Sequence, residues 1–298
     1  MSDTWKTMSK YTVDLCMKEA SKGVMQKYFV PYFLRMVALS SIFERLVLLE
    51  AEARCPPSKR GRPRELSDSE ALSVFFKVLR TGMQWREADG DVHYTTLLRR
   101  MHVWSKNHVF DAAYTRALKT YKRLCPTTHY CVDSSYVKNA FGRECVGKNH
   151  TDRGRKALKL SVVVDQHGIP HGICCHPGNR PDVCLLQDTL RSMLVDVESR
   201  PLYADKGYDS RNNRKVCHAA GVQDRIFRRR TTATRRTHAK RIVVEHTFAW
   251  LKSYRRLLHF YDNTPVIFRS FVVLALGNIL GRRVDGVRSS DFSNFGVE

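Results

Sequence analysis

Three acids stand where a carboxylate can do chemistry. Asp133 follows the apolar run "HYCV", and Asp205 follows "PLYA". Glu245 is the single acid between Arg225 and Arg256, a stretch with eleven Lys and Arg. The pattern predicts the two aspartates at or near strand ends and the glutamate on a helix. Each has a plain alternative. An aspartate after a strand often caps the next turn, and Glu245 can pair with Arg241 four residues earlier. Together, two strand aspartates and a helical glutamate can hold a pair of Mg2+ ions. One ion activates an attacking oxygen and the other stabilises the leaving oxygen of a phosphodiester. Mg2+ is a hard cation suited to carboxylate oxygen.

Helix geometry adds cations to the acid. At about 100° per residue, Arg241, Glu245 and Lys252 fall on one face. Val244, Phe248, Leu251 and Leu258 form an adjacent apolar stripe suited to packing on a sheet. Glu245 is therefore expected at the edge of the packed face, with Arg241 and Lys252 taking phosphate oxygens.

Those side chains need a sheet and helices to place them. "YFLRMVALSSIFERLVLLEAEAR" is helical by pattern and stops before Pro56-Pro57. "LSDSEALSVFFKVLRTGMQW" reads as a helix with Ser67 as N-cap, Glu70 three residues on and Gly82 as the stop. "VHYTTLLRRMHVWSKN" and "HVFDAAYTRALKTYKRL" add two more, completing a helix-turn-helix-like bundle. From about residue 126 the texture turns β-rich: "THYCVDSSYVKNA", then "ALKLSVVVDQHGIPHGICCHPG" with a turn at "QHGIP". "DVCLLQDTLRSMLVDV" reads as a helix, "RPLYADKG" as a strand, and "SRNNRKVCHAAG" as a short helix closed by Gly221. "QDRIFR" is a last strand and "AKRIVVEHTFAWLKSYRRLLHF" a long helix. Strands followed by strand–helix alternation predict a mixed α/β sheet. The expected organisation is an extension at 1–30, a helical DNA-binding domain at 31–125, a catalytic domain at 126–283 and a frayed tail at 284–298.

The bulk composition agrees with a polyanion partner. The 298 residues carry 51 Lys and Arg against 29 Asp and Glu, a formal charge of +22. Nucleic acid leads as the partner. No lipid anchor or basic amphipathic helix is evident, the opening residues have no h-region of a signal peptide, and no run reads as transmembrane, so no membrane is expected. Nine cysteines with irregular spacing and no C-x2-C pair fit reduced thiols inside a cell.

The motifs then resemble a known family. "VDSSYVKNA" at Asp133, "ADKGYDS" at Asp205 and R-x3-E-x6-K at Arg241, Glu245 and Lys252 are similar to the three motifs of DDE transposases of bacterial insertion sequences. The nearest group is the IS-five family within the IS-four-like superfamily. "HPGNRPDVCLLQDTL", with Asn179 and Asp182, resembles the segment between the first two acids, and residues 60–283 are covered in all. The resemblance implies an RNase H-like mixed sheet flanked by helices, preceded by a small all-helical domain. It implies Mg2+ as cofactor, with Mn2+ able to substitute. Asp133, Asp205 and Glu245 are then both catalytic and metal ligands. The partners are double-stranded DNA, as element ends and target, and a second copy or more of the chain on that DNA. The reaction is strand cleavage and strand transfer at terminal inverted repeats. A bacterial host puts this in the cytoplasm at the nucleoid, a eukaryotic or viral one in the nucleus. The chain departs from the pattern at His238, where many relatives carry tyrosine, and the interval from Asp205 to Glu245 is too short for a large β insertion.

"SKRGRPRE" supplies Lys59, Arg60, Arg62 and Arg64 as candidate DNA contacts. Its Arg-Gly-Arg-Pro core resembles an AT-hook, and equally a nuclear import signal or a basic linker. Trp85 reads as a core anchor between helices. Three functional classes stand: an active transposase, a non-enzymatic DNA-binding derivative, and a metal-dependent nuclease on the same core. The complete set of acids and flanking cations favours the first.

Overall fold

The computed structural model describes residues 39–57, 64–88, 92–228 and 235–291, with backbone alone for 235–240 and 284–291. Contacts divide the chain into Met1–Leu39 and Ser40–Glu298. The second unit contains all the elements below.

Four helices come first: α1 (Ser41–Arg54), α2 (Asp68–Thr81), α3 (Tyr94–Lys106) and α4 (Val109–Leu124). Their ends follow the sequence signals. At α2, Ser67 and Glu70 form a reciprocal capping box, and Gly82 ends the helix in the left-handed region at φ 69°. The helical pattern before residue 39 lies outside the described residues; within them α1 starts after the N-cap Ser40.

A seven-stranded sheet follows, built from β1 (Tyr130–Asn139), β2 (Gly147–Lys148), β3 (Lys156–Asp165), β4 (Pro170–Pro177), β5 (Pro201–Ala204), β6 (Gln223–Ile226) and β7 (His259–Phe260). β1 is the pivot. It runs antiparallel to β3, which is antiparallel to β4, and parallel to β5, which is parallel to β6. Helices α5 (Leu186–Arg191), α6 (Arg211–Ala219), α7 (Arg235–Lys252) and α8 (Pro265–Asp291) accompany it. This is a mixed α/β sheet with flanking helices, as the strand and helix order predicted.

Four details differ from the sequence reading. Asp133 is not at a strand end; it is the fourth residue of the ten-residue β1, opposite Val162. The helix expected from residue 182 is a 3-10 turn, Asp182–Cys184, followed by the short α5. It stops because Met193 bridges to Gly172 of β4 and Ser192 Oγ donates back to the Thr189 carbonyl at 2.7 Å. The helix carrying Glu245 ends at Lys252, because the chain turns to lay β7 beside the end of β1, pairing Lys138 with His259. Leu258 therefore leaves the apolar stripe and is 41% exposed, whereas Val244, Phe248 and Leu251 are buried.

The fourth difference is α8, which the sequence reading did not identify. Its helix runs on through residues assigned to the tail. Its Pro265–Arg283 segment is long and apolar enough to cross a membrane by length and composition, contrary to the expectation that no run is. Most of it is buried inside the protein, as a core helix. Gly277 and Gly281 let α1 approach it closely: a Cβ on Gly277 would meet the Phe43 ring at 1.9 Å, and one on Gly281 the Ser40 hydroxyl at 2.3 Å. Ser40 N donates to Asn278 Oδ1 at 2.8 Å, and Asn278 Nδ2 donates to the Tyr254 hydroxyl at 2.9 Å.

In packing, no boundary falls at residue 125. Arg269 of α8 pairs with Asp111 of α4. Tyr114 of α4 donates a buried 2.8 Å bond to the Pro170 carbonyl of β4, and Lys122 pairs with Glu198 at 2.7 Å. Trp85 is the expected anchor, edge-on to Phe75 and 5.9 Å from Phe271 of α8.

Candidate active site

The pleat of β1 serves two layers. Tyr130 and Val132 point into the apolar cluster with Leu186, Leu190 and Cys217 of α5 and α6. Asp133 takes the opposite phase and meets α7, where its Oδ2 lies 3.6 Å from the Arg241 guanidinium. α7 is held there by its buried face and by the β3–β4 turn. Gly168 in that turn has φ +75°, and a Cβ on it would lie 2.8 Å from Thr247 Oγ1 and 3.0 Å from the Val243 carbonyl. Thr247 Oγ1 donates to the Gly168 carbonyl at 2.7 Å.

Asp205 directly follows β5, which ends at Ala204, and precedes a 3-10 turn, Lys206–Tyr208. Its side chain makes no capping hydrogen bond to that turn, so the capping alternative fails. Its Oδ1 instead accepts from Arg241 NH1 at 3.2 Å. One guanidinium thus joins an acid within β1 to the acid that follows β5. Arg241 turns to these aspartates, not to Glu245. Glu245 is exposed one helical turn on, and Lys252 is exposed at the end of α7. Among the described residues, no group of three or more His, Cys, Asp and Glu side chains is arranged to hold a metal ion. The paired Asp133 and Asp205 nonetheless have the right donors for a hard cation: carboxylate oxygens with a positive charge already between them. Burial pushes the Asp133 carboxyl up to about 6; the Ser134 N–H and Arg241 pull against this, while Asp182 and Asp205 add repulsion.

A second constellation adjoins the aspartates. Lys159 of β3 is 3% exposed, its Nζ donating to Asp182 Oδ1 at 3.1 Å and to the Arg180 carbonyl at 2.9 Å. It also lies 4.7 Å from the centroid of the Tyr136 ring. Ser134, the residue after Asp133, donates its hydroxyl to the same Asp182 oxygen at 2.6 Å, and its N–H to Asp133 Oδ1 at 2.8 Å. Asp182 entered the sequence reading only through the resemblance, and Lys159 not at all. A lysine inside the run "ALKLSVVVD" was the available signal, since a charge in a buried strand demands a partner. Asn179 packs against Gly147 of β2.

Replacing that lysine tests whether the constellation is formed. Lys159→Met keeps the stem and removes the ammonium, leaving the Arg180 carbonyl unpaired and Asp182 with Ser134 alone. We expect about 2 kcal/mol lower stability in urea melts, the range for stranding a buried partner. Asp182→Asn, whose amide oxygen still accepts, should cost less. A parent-like midpoint for Lys159→Met would mean the buried bonds do not form.

Of the candidate DNA contacts, Lys59, Arg60 and Arg62 lie outside the described residues, as does the His238 side chain. Arg64 is described, and its guanidinium is engaged within the fold. NH2 donates to the Cys55 carbonyl at 2.9 Å, and NH1 pairs with Asp68 at 3.2 Å. It closes the C-terminal end of α1 onto α2 rather than standing free for phosphate.

The family model and a sequence relative agree. The family described as "Transposase DDE domain" matches residues 124–276. Over 142 residues the chain is 32% identical to a Burkholderia cepacia protein provisionally named transposase for insertion sequence element IS402. That match covers 45% of this chain and 67% of the relative. A chain from the crystal structure of a pre-cleavage Mos1 transpososome aligns over 77% of this chain and 82% of its own, at 10% identity. Its TM-score of 0.27 is too low to carry an argument.

Proposed function

The chain belongs to the transposase DDE domain family, and from that premise we propose that it cuts and joins DNA at the terminal inverted repeats of a mobile element. It is a DDE transposase, of a family that works with a divalent metal. The proposal concerns the metal, the residues and the DNA. The observation that carries it is the convergence of Asp133 of β1 and Asp205, just past β5, on one guanidinium of α7.

Asp133 and Asp205 would hold Mg2+, with Glu245 completing the acid set from α7. When bound, the metal supplies Lewis-acid polarisation of phosphodiester oxygens. The chain's own part is positioning. The long β1 fixes Asp133, the end of β5 fixes Asp205, and the seat of α7 on Gly168 fixes the height of Arg241 and Glu245. Arg241 keeps positive charge between the two aspartates, and Lys252 stands exposed on the same helix for phosphate. The net charge of +22 supports DNA as the partner. The working state we propose is a dimer or larger assembly on DNA, at the nucleoid in a bacterial host.

The test uses the purified full chain and supercoiled DNA carrying its coding region with flanks. We expect Mg2+-dependent 3′-hydroxyl ends at fixed positions bordering inverted repeats, abolished by chelator. Scattered nicking without preferred positions would point to a nuclease. Tight binding with no new ends would point to a DNA-binding derivative.

A further inference from the structure

Past the end of β1 an exposed phenylalanine leads an aromatic row, with Tyr261 and His259 half-buried behind it, that the acids do not use. Phe141 is 69% exposed, the most exposed large apolar side chain among the described residues. Its ring lies 6.2 Å from Tyr261, which lies 5.5 Å from His259. The Arg256 guanidinium stands 5.3 Å from the Tyr261 ring.

The loop that presents Phe141 is built, not slack. The N–H groups of Ala140 and Phe141 both donate to the Phe260 carbonyl, and those of Arg143 and Glu144 to the Asn263 carbonyl, at 3.1–3.3 Å. Gly142 lets the loop close: a Cβ there would meet the Phe260 ring at 2.1 Å. An apolar ring is thus fixed in water by main-chain bonds that do not depend on the ring. Exposed Lys138, Arg143, Lys148, Arg153, Arg155 and Lys156 surround it in sequence, against two acids, Glu144 and Asp152. Exposed cations for the backbone and a solvent-facing ring for a base are the elements of a single-strand stacking platform. A second copy of the chain fits this face poorly, because a two-fold contact would set the same cations against each other.

We propose that the Phe141–Tyr261–His259 row is a stacking site for an unpaired nucleobase of the bound DNA. This rests on the transposase reading and adds to it a contact away from the acids. β1 leads from Asp133 to Asn139, six residues and about 20 Å at strand rise. That is less than one turn of duplex, about 34 Å. A base freed from pairing near the cleaved bond is therefore within reach of the ring. An intact duplex, with its bases stacked on one another, offers this site only phosphate contacts to the cations.

The experiment compares binding of the full chain to an intact duplex and to the same duplex with a short single-stranded gap containing 2-aminopurine. The parent should bind the gapped DNA more tightly and change its 2-aminopurine fluorescence. Phe141→Ala should lose about tenfold in affinity for the gapped DNA and remain within twofold on intact duplex. Phe141→Tyr should keep the preference, and Phe141→Leu, apolar without a ring, should lose it. Phe141 is exposed, so these variants fold. Equal discrimination by parent, Ala and Leu variants would overturn the stacking site while leaving the transposase reading intact. So would a change in solution mass without a change in DNA preference, which would make the row an interface between copies. A parent chain that binds neither DNA overturns both readings.

Discussion

Asp205→Asn is expected to lower strand cleavage about a thousand-fold or more, the effect of losing several kcal/mol of charge stabilisation, while DNA binding stays within twofold. Asparagine keeps the side-chain shape and removes the charge that would hold a hard cation. Folding should be little affected. Asp205 has a side chain 52% exposed, so its bond to Arg241 contributes at most a few tenths of a kcal/mol. It caps nothing in the turn that follows. Binding draws on the charge of the whole chain, which one substitution barely changes. The measurement pairs a gel shift with Mg2+-dependent release of 3′-hydroxyl ends from the same DNA. A variant that cleaves like its parent would leave Asp205 as no more than the residue before a turn.

Gly277→Val is expected to cost about 3 kcal/mol of stability, the upper part of the range for overpacking. The reason is the contact of α8 with α1. A Cβ on Gly277 would sit 1.9 Å from the Phe43 ring, which is fully buried and has nowhere to turn. Sign gives a sharper test than size. In an ordinary helix interior, Gly→Ala raises stability by about 0.5–1 kcal/mol. Here Gly277→Ala should lower it, because the clash outweighs the propensity gain. Adding Phe43→Leu should recover part of the loss, read as a coupling energy in a double-mutant cycle. If Gly277→Ala stabilises the protein in urea melts, α1 is not seated on α8 as described.

Legibility in the sequence followed the periodicity. Ser67, Glu70 and Gly82 mark the ends of α2 because capping chemistry is local. Asp133 and Asp205 were visible as acids after short apolar runs, and Glu245 as a lone acid among cations. The linkage between them was not visible, because a guanidinium 36 residues along the chain from Asp205 depends on tertiary seating. α8 escaped because a helix buried on most sides has no polar face to set a period. The end of α7 escaped because β7 pairs with the far end of β1, a non-local contact that overrides helical pattern. Lys159 escaped because one charge in an apolar strand is a signal only once Asp182 is known to stand beside it.

The shared packing of α8 limits how this protein can be altered. α8 lies beyond Glu245 in sequence, yet it packs against α1 and α4. A chimera that trades residues 40–125 for those of a relative would bring in a new lining for α8 without the matching glycines. Retargeting by swapping the front end should therefore succeed only when the back end travels with it, so that the transferable part is a discontinuous pair of segments, residues 40–125 and α8.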